Sequence, residues 1–205
     1  MTKSLKESYD QRYDKVLLPI AANLENLLAD HLKGRPHIDR IAVRAKSPKS
    51  FLTKALKREN GKLEYKDPLG EIQDQLGARV IVFYTSDVKP ISRRVMKYFR
   101  HIEMLNKQPK SEAEFGYFGK HFILALPEDA IPKKVKLLDA PKVFELQVRT
   151  LYQHAWSEAE HDIGYKPARK LTKIEKRNFA FTAAQSWGAD RIFQELHKGL
   201  KRRSG

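Results

Sequence analysis

The chain has 205 residues, 41% hydrophobic and 10% aromatic, which is enough for a packed core and too much for a disordered chain. It carries 40 Lys and Arg against 25 Asp and Glu, a net charge of +15, which calls for a polyanionic ligand: nucleotides, nucleic acid or an acidic membrane surface. Cysteine is absent, which excludes disulfides, thiolate nucleophiles and Cys-ligated zinc, and no apolar run approaches the ~18 residues of a membrane span.

Leu5, Tyr9, Tyr13, Val16, Leu17, Ile20, Leu24, Leu27, Leu28 and His31 recur at spacings of three and four, which predicts an amphipathic helix over 4–32. Pro19 inside it predicts a kink or break, and Gly34-Arg35-Pro36 ends it. Residues 38–43 read as a strand, and Ser47-Pro48 starts a short helix to about Arg58, followed by the turn Asn60-Gly61. Asp67-Pro68-Leu69 opens another short helix that ends near Leu76-Gly77. Residues 79–84 are β-branched and aromatic, as in a buried strand. Asp87 caps a helix to about Phe99, and the polar residues 105–116, with Pro109, read as a loop. Strands follow at 120–126 and 143–149, then helices at 151–163 and 172–200. The pattern predicts an α/β or α+β chain with one mixed sheet flanked by helices. The N-terminus lacks the apolar stretch of a signal peptide, so a cytoplasmic protein is expected.

The charge is concentrated at the ends. Residues 1–66 hold 15 Lys/Arg against 8 Asp/Glu, and residues 166–205 hold 11 against 3. The sequence has no Gly-rich P-loop, no dinucleotide fingerprint and no kinase motif set. Arg44 and Lys46 share a strand face, Ser47 and Ser50 sit at a helix start, and Lys54 lies one turn on. Together these residues form a phosphate cradle without a Gly-rich loop. Their bland reading is a solvated basic helix. Asp74 stands at a helix end before Arg79, and Glu145 and Gln147 share one face of a strand. An acid on each of two strand-proximal elements is how a site holds Mg²⁺ against phosphates, although each acid alone is more often a surface salt-bridge partner. Tyr117, Lys120 and His121 stand at the mouth of a strand, where an exposed Tyr can stack a base or simply pack. His154, Glu158 and His161, at i, i+4 and i+7, share a helix face that suits either a metal or ordinary polar packing.

Taken in order, these pieces resemble the synthetase domain of the RelA/SpoT family, in its small alarmone synthetase branch, over residues 38–166. The motifs that carry the resemblance are Arg44-x-Lys46-Ser47-x-x-Ser50-x-x-x-Lys54, Asp74-x-x-Gly77-x-Arg79, Gly116-Tyr117-x-x-x-His121, Glu145-Leu146-Gln147-Val148-Arg149-Thr150, and His154 to His161 with Tyr165-Lys166. The resemblance implies a nucleotidyltransferase-like fold with about five strands. It divides the chain into an N-terminal helix (1–35), a catalytic core (36–166) and a basic C-terminal helix (167–205) of one synthetase domain. It also implies transfer of the β,γ-diphosphate of ATP to a ribose 3′-hydroxyl, releasing AMP.

In these roles Arg44 and Arg79 sandwich the adenine, while Lys46, Ser47, Ser50, Lys54 and Arg58 hold the triphosphate. Asp74 and Glu145 bind Mg²⁺, and Glu145 also takes the hydroxyl proton. Tyr117, Lys120, His121, Gln147 and Arg149 serve the acceptor. The length leaves no room for the hydrolase domain of the long members, so synthesis without degradation is expected. Gly119 stands where the family's acceptor motif usually has Ser, which keeps three acceptors open: GDP or GTP, the 3′ end of tRNA as in toxic branches held by an antitoxin, and an adenosine nucleotide. An RNA- or partner-binding module with a decayed site is the reading from another class. Homo-oligomers, including tetramers, occur in the branch, and the 172–200 helix is the candidate interface.

Overall fold

The computed structural model describes residues 4–107, 114–115, 119–164 and 169–203. The chain opens with α1 (Leu5–Arg12), a π-helical turn (Tyr13–Leu17) and α2 (Leu18–Leu32). Ser4 and Glu7 form a capping box at the start of α1. Pro19 falls in the first turn of α2, where its missing N–H has no helical partner to lose, and the irregularity is taken up by the π turn before it. The strands are β1 (Ile38–Ala45), the hairpin β2 (Arg58–Glu59) and β3 (Lys62–Leu63), β4 (Leu76–Val82), β5 (His101–Lys107), β6 (Gly119–Ala125) and β7 (Val143–Thr150). Between them lie α3 (Pro48–Ala55), α4 (Pro68–Glu71) and α5 (Thr85–Tyr98), and after β7 come α6 (Leu151–Gly164) and α7 (Lys173–Arg203).

Five strands form one mixed sheet in the order β1-β4-β7-β6-β5, with β4 and β7 parallel and the other pairs antiparallel. The expected mixed sheet with flanking helices is present. The ladder gives its two faces opposite chemistry. Val43, Ala78, Leu146 and Phe122 lie in one transverse row and share a face with Val80 and Val148. This apolar face packs against Leu24 and Leu28 of α2 and Ile91 and Val95 of α5, in a core that also holds Phe99 and Phe144. The other face carries the polar residues of the same strands, which places every candidate group on β1, β4 and β7 on one side.

Three local expectations are corrected. Residues 105–107, read as the start of a loop, continue β5, which pairs with β6 from His101↔Leu124 to Lys107↔Gly119. His101 to Met104 are all exposed and show no buried alternation, and their extended form comes from the ladder that β6 offers. Asp87 is in the first turn of α5 rather than at its cap. The helix start is satisfied from a distance: Gln194 Oε1 on α7 accepts from Ser86 N at 2.7 Å and Thr85 Oγ1 at 3.0 Å. The short helix expected to reach Leu76 stops at Glu71, and a 3₁₀ turn (Gln73–Gln75) leads into β4.

The long helix α7 docks through polar contacts as well as the buried Ala183 and a Phe193–Tyr152 stack. Thr150, the last residue of β7, donates its hydroxyl to Asp190 Oδ2 at 2.7 Å, and His197 stacks on Tyr84 with ring centroids 3.9 Å apart. Asp190 is 4% exposed, and burial pushes its carboxyl up from 3.8 to about 6, against the hydrogen bonds from Thr150 and Gln153. The native state therefore keeps a proton that the unfolded chain has already released, so stability declines as pH rises from about 4 to about 6. Asp190→Asn should flatten that segment. Denaturant unfolding followed from pH 4 to 8 should show the variant gaining on the wild type up to about pH 6, by on the order of 2 kcal/mol, and then running parallel to it.

Candidate active site

The site lies where the polar sheet face meets the start of α3. Arg44 on β1 pairs with Gly77 on β4, which pairs with Glu145 on β7. One step along, Arg79 pairs with Gln147, which pairs with His121 on β6. Side chains in register across a sheet leave from the same face. Two short rows thus hold two arginines, the Glu145 carboxylate, the Gln147 amide and the His121 imidazole on one face. A cavity of about 230 Å³ opens over them, lined by Arg44, Lys46, Ser47, Ser50, Asp74, Gly77, Arg79, Glu145 and Gln147 among the expected residues, and also by His161.

Asp74 is delivered by the 3₁₀ turn, with φ −90° and ψ 30°. One of its oxygens meets Lys46 Nζ at 2.8 Å and the other meets Lys54 Nζ at 3.0 Å. Burial works against ionisation of Asp74, but the hydrogen bonds and charges of the two lysines outweigh it, and the carboxyl titrates below its ordinary value. Glu145 behaves alike: burial raises it, the bond and charge of His121 Nδ1 on Oε1 lower it further, and the negative charge of Asp74 opposes. The net shift is downward. The two carboxylates are therefore close enough to feel one another, and each is held ionised by a neighbouring cation or imidazole.

The turn that carries Asp74 is braced from the N-terminal helix. Tyr9 stacks on Phe51 with centroids 3.6 Å apart and donates its hydroxyl to the Lys46 carbonyl at 2.9 Å. Arg12 Nε donates to Gln75 Oε1 at 2.9 Å, Gln75 Nε2 donates to the Leu69 and Ile72 carbonyls, and Lys46 N donates to the Gln75 carbonyl. Gln75 is buried, so these bonds satisfy a polar side chain in the interior and fix its neighbour Asp74. Ser47 is the N-cap of α3, and its hydroxyl accepts from Ser50 N at 3.3 Å.

Other expected residues stand further off. Arg58 lies on the β2–β3 hairpin and donates to the Gly61 carbonyl. His121 is buried beneath Glu145, and Arg149 is buried with a guanidinium N–H on Gln147 Oε1. Lys120 pairs with Val148 and is exposed, so it shares the sheet face opposite to His121. Tyr117 lies outside the described residues. His154, Glu158 and His161 do not converge: among the described residues no group of three or more His, Cys, Asp or Glu side chains is placed to hold a metal. Instead Glu158 Oε1 takes Arg79 Nη1 at 2.7 Å, and His161 lines the cavity. Their helical spacing was visible in the sequence, but their partner on β4 was not.

The paired carboxylates suit a hard divalent cation such as Mg²⁺, since Asp74 and Glu145 would supply oxygen ligands on one cavity that Arg44, Lys46 and Arg79 also line. Gly77 stands between Arg44 and Glu145, and a Cβ built there meets nothing within 4 Å. Gly77→Leu should therefore fold with a melting temperature within a few degrees of the wild type. It should nonetheless weaken binding of a non-hydrolysable ATP analogue at least about tenfold by filling the cavity floor, and calorimetric titration of the folded variant measures this.

The description "Region found in RelA / SpoT proteins" matches residues 43–170. "GTP pyrophosphokinase YwaC" of Bacillus subtilis is 27% identical over 140 residues, a match spanning 66% of this chain and 62% of that protein, less than two thirds of its length. Among solved structures, a GTP pyrophosphokinase family protein from Streptococcus pneumoniae superposes with a TM-score of 0.74 at 22% identity, covering 99% of this chain and 97% of that one. The small alarmone synthetase 1 of Bacillus subtilis superposes at 0.70 and 18% identity, covering 90% and 95%. The matched region covers more than half of the chain, and the chain belongs to the RelA/SpoT family.

Proposed function

We propose that the chain is a pyrophosphotransferase that moves the β,γ-diphosphate of ATP to the ribose 3′-hydroxyl of GDP or GTP. In the reaction the 3′-oxygen forms a bond to the β-phosphorus, the α,β-bridging bond breaks, AMP leaves, and the hydroxyl proton passes to the Glu145 carboxylate. The observation that carries the reading is the convergence of Asp74 and Glu145 with Arg44, Lys46 and Arg79 on one cavity. The relative at 27% identity is named a GTP pyrophosphokinase, which supports a guanosine acceptor.

Each residue's part follows from its charge and place. Lys46, Ser47, Ser50 and Lys54 bind the triphosphate, with Arg58 of the hairpin reaching its far end, and positioning plus charge neutralisation is what phosphoryl transfer asks of a protein. Arg44 and Arg79 hold the adenine between their planar faces. Glu145, kept ionised by His121, is poised as general base toward the acceptor hydroxyl. Gln147, Arg149 and Tyr117 serve the acceptor side, and Lys120, on the opposite face of the sheet, does not. Asp74 and Glu145 would hold Mg²⁺, whose contribution when bound is to neutralise the transferring diphosphate.

Incubation with γ-labelled ATP, Mg²⁺ and, separately, GDP, GTP, adenosine nucleotides and deacylated tRNA tests the acceptor. Label is expected in a guanosine product. Label confined to tRNA would give the acceptor as the tRNA 3′ end, and label in an adenosine product would give an adenosine nucleotide. A folded protein that labels nothing would favour a binding module with a decayed site. Glu145→Gln should lower transfer by roughly 10²- to 10⁴-fold while the ATP analogue still binds within a few-fold of wild type. Retained turnover would remove Glu145 from the role of base.

A further inference from the structure

We infer that Glu158 is a positioning residue for the donor base, acting through Arg79, and this rests on the ATP reading above. Arg44 and Arg79 line the same cavity, with a base expected between them. Their charges oppose each other: the Arg44 guanidinium is lowered first by burial and next by Arg79, while Glu158, Glu145 and Asp74 act the other way. Two of those three carboxylates are already engaged, Asp74 by Lys46 and Lys54, and Glu145 by His121. Glu158 is the one that meets an arginine of the pair, with Oε1 at 2.7 Å from Arg79 Nη1.

Glu158 is not among the residues lining the cavity, so it touches the arginine and leaves the ligand space clear. A guanidinium gripped at one edge keeps both flat faces free for stacking. Burial raises the Glu158 carboxyl, but Arg79 and then His154 and Arg44 lower it below its ordinary value, so it is ionised at neutral pH. The ion pair therefore does two things. It relieves the repulsion between two cations that must approach each other, and it sets the orientation of Arg79 before the nucleotide arrives, which reduces the ordering cost of binding.

The test separates base from phosphate. Wild type, Glu158→Ala and Glu158→Gln are titrated with a non-hydrolysable ATP analogue and with inorganic tripolyphosphate, which has no base. Glu158 is 45% exposed, so both variants should fold, and a thermal melt checks it. Glu158→Ala should bind the ATP analogue roughly fivefold more weakly, the scale of a half-exposed charged pair. Tripolyphosphate should bind equally well or tighter, because a negative charge near a polyanion site has been removed. Glu158→Gln, which keeps an acceptor oxygen for Arg79, should fall between. In turnover the KM for ATP should rise by the same factor with kcat held. Equal weakening of both probes would show a general structural role and overturn the inference, as would unchanged binding of the analogue. A wild type that binds tripolyphosphate as well as the ATP analogue would instead overturn the adenine-stacking reading on which the inference stands.

Discussion

The site depends on the register of three strands. Arg44, Gly77 and Glu145 lie in one row because β1 pairs with β4 antiparallel and β4 with β7 parallel, and a slip of one residue in either ladder would turn one of them into the core. What prevents the slip is the opposite face. Val43, Ala78 and Leu146 alternate with the polar residues and are pressed on α2 and α5, so the hydrophobic free energy that forms the core also fixes which charges meet. The polar row needs no attraction of its own to assemble, and its like charges, Arg44 beside Arg79 and Asp74 beside Glu145, are tolerated because the fold has already been decided elsewhere.

Each like-charge contact is offset by a partner brought from another element. Asp74 is balanced by Lys46 at the end of β1 and Lys54 on α3, Glu145 by His121 from the neighbouring strand, and Arg79 by Glu158 from α6. Burial alone would push both carboxyls toward the neutral acid, but these partners hold them ionised.

The terminal helices act on the site from outside it. The N-terminal helix reaches the Lys46 carbonyl through the Tyr9 hydroxyl and the Asp74 turn through Arg12 and Gln75. The C-terminal helix α7 reaches the end of β7 through Asp190 and the start of α5 through Gln194. Its buried residues are Ala183, Asp190 and Gln194, while Ile174, Phe181, Ile192, Leu196 and Leu200 are exposed. The amphipathic pattern over 172–200 identified the helix correctly, but pattern alone would have turned the apolar stripe inward.

By itself the sequence determined the local elements with strong periodicity, the alternation that separates the core face from the polar face of β7, and the ordered motifs of the family. These are properties of neighbours along the chain, set by backbone period and side-chain type. The tertiary structure decided what depends on distant partners. It made β5 a strand through the open edge of β6, capped α5 with Gln194 from 108 residues away, and put Glu158 on Arg79 instead of beside a metal. It also turned Lys120 away from His121. Hydrogen bonds and ion pairs act through space over a few ångströms, so their partners are fixed only when the sheet has closed and the helices have packed on it.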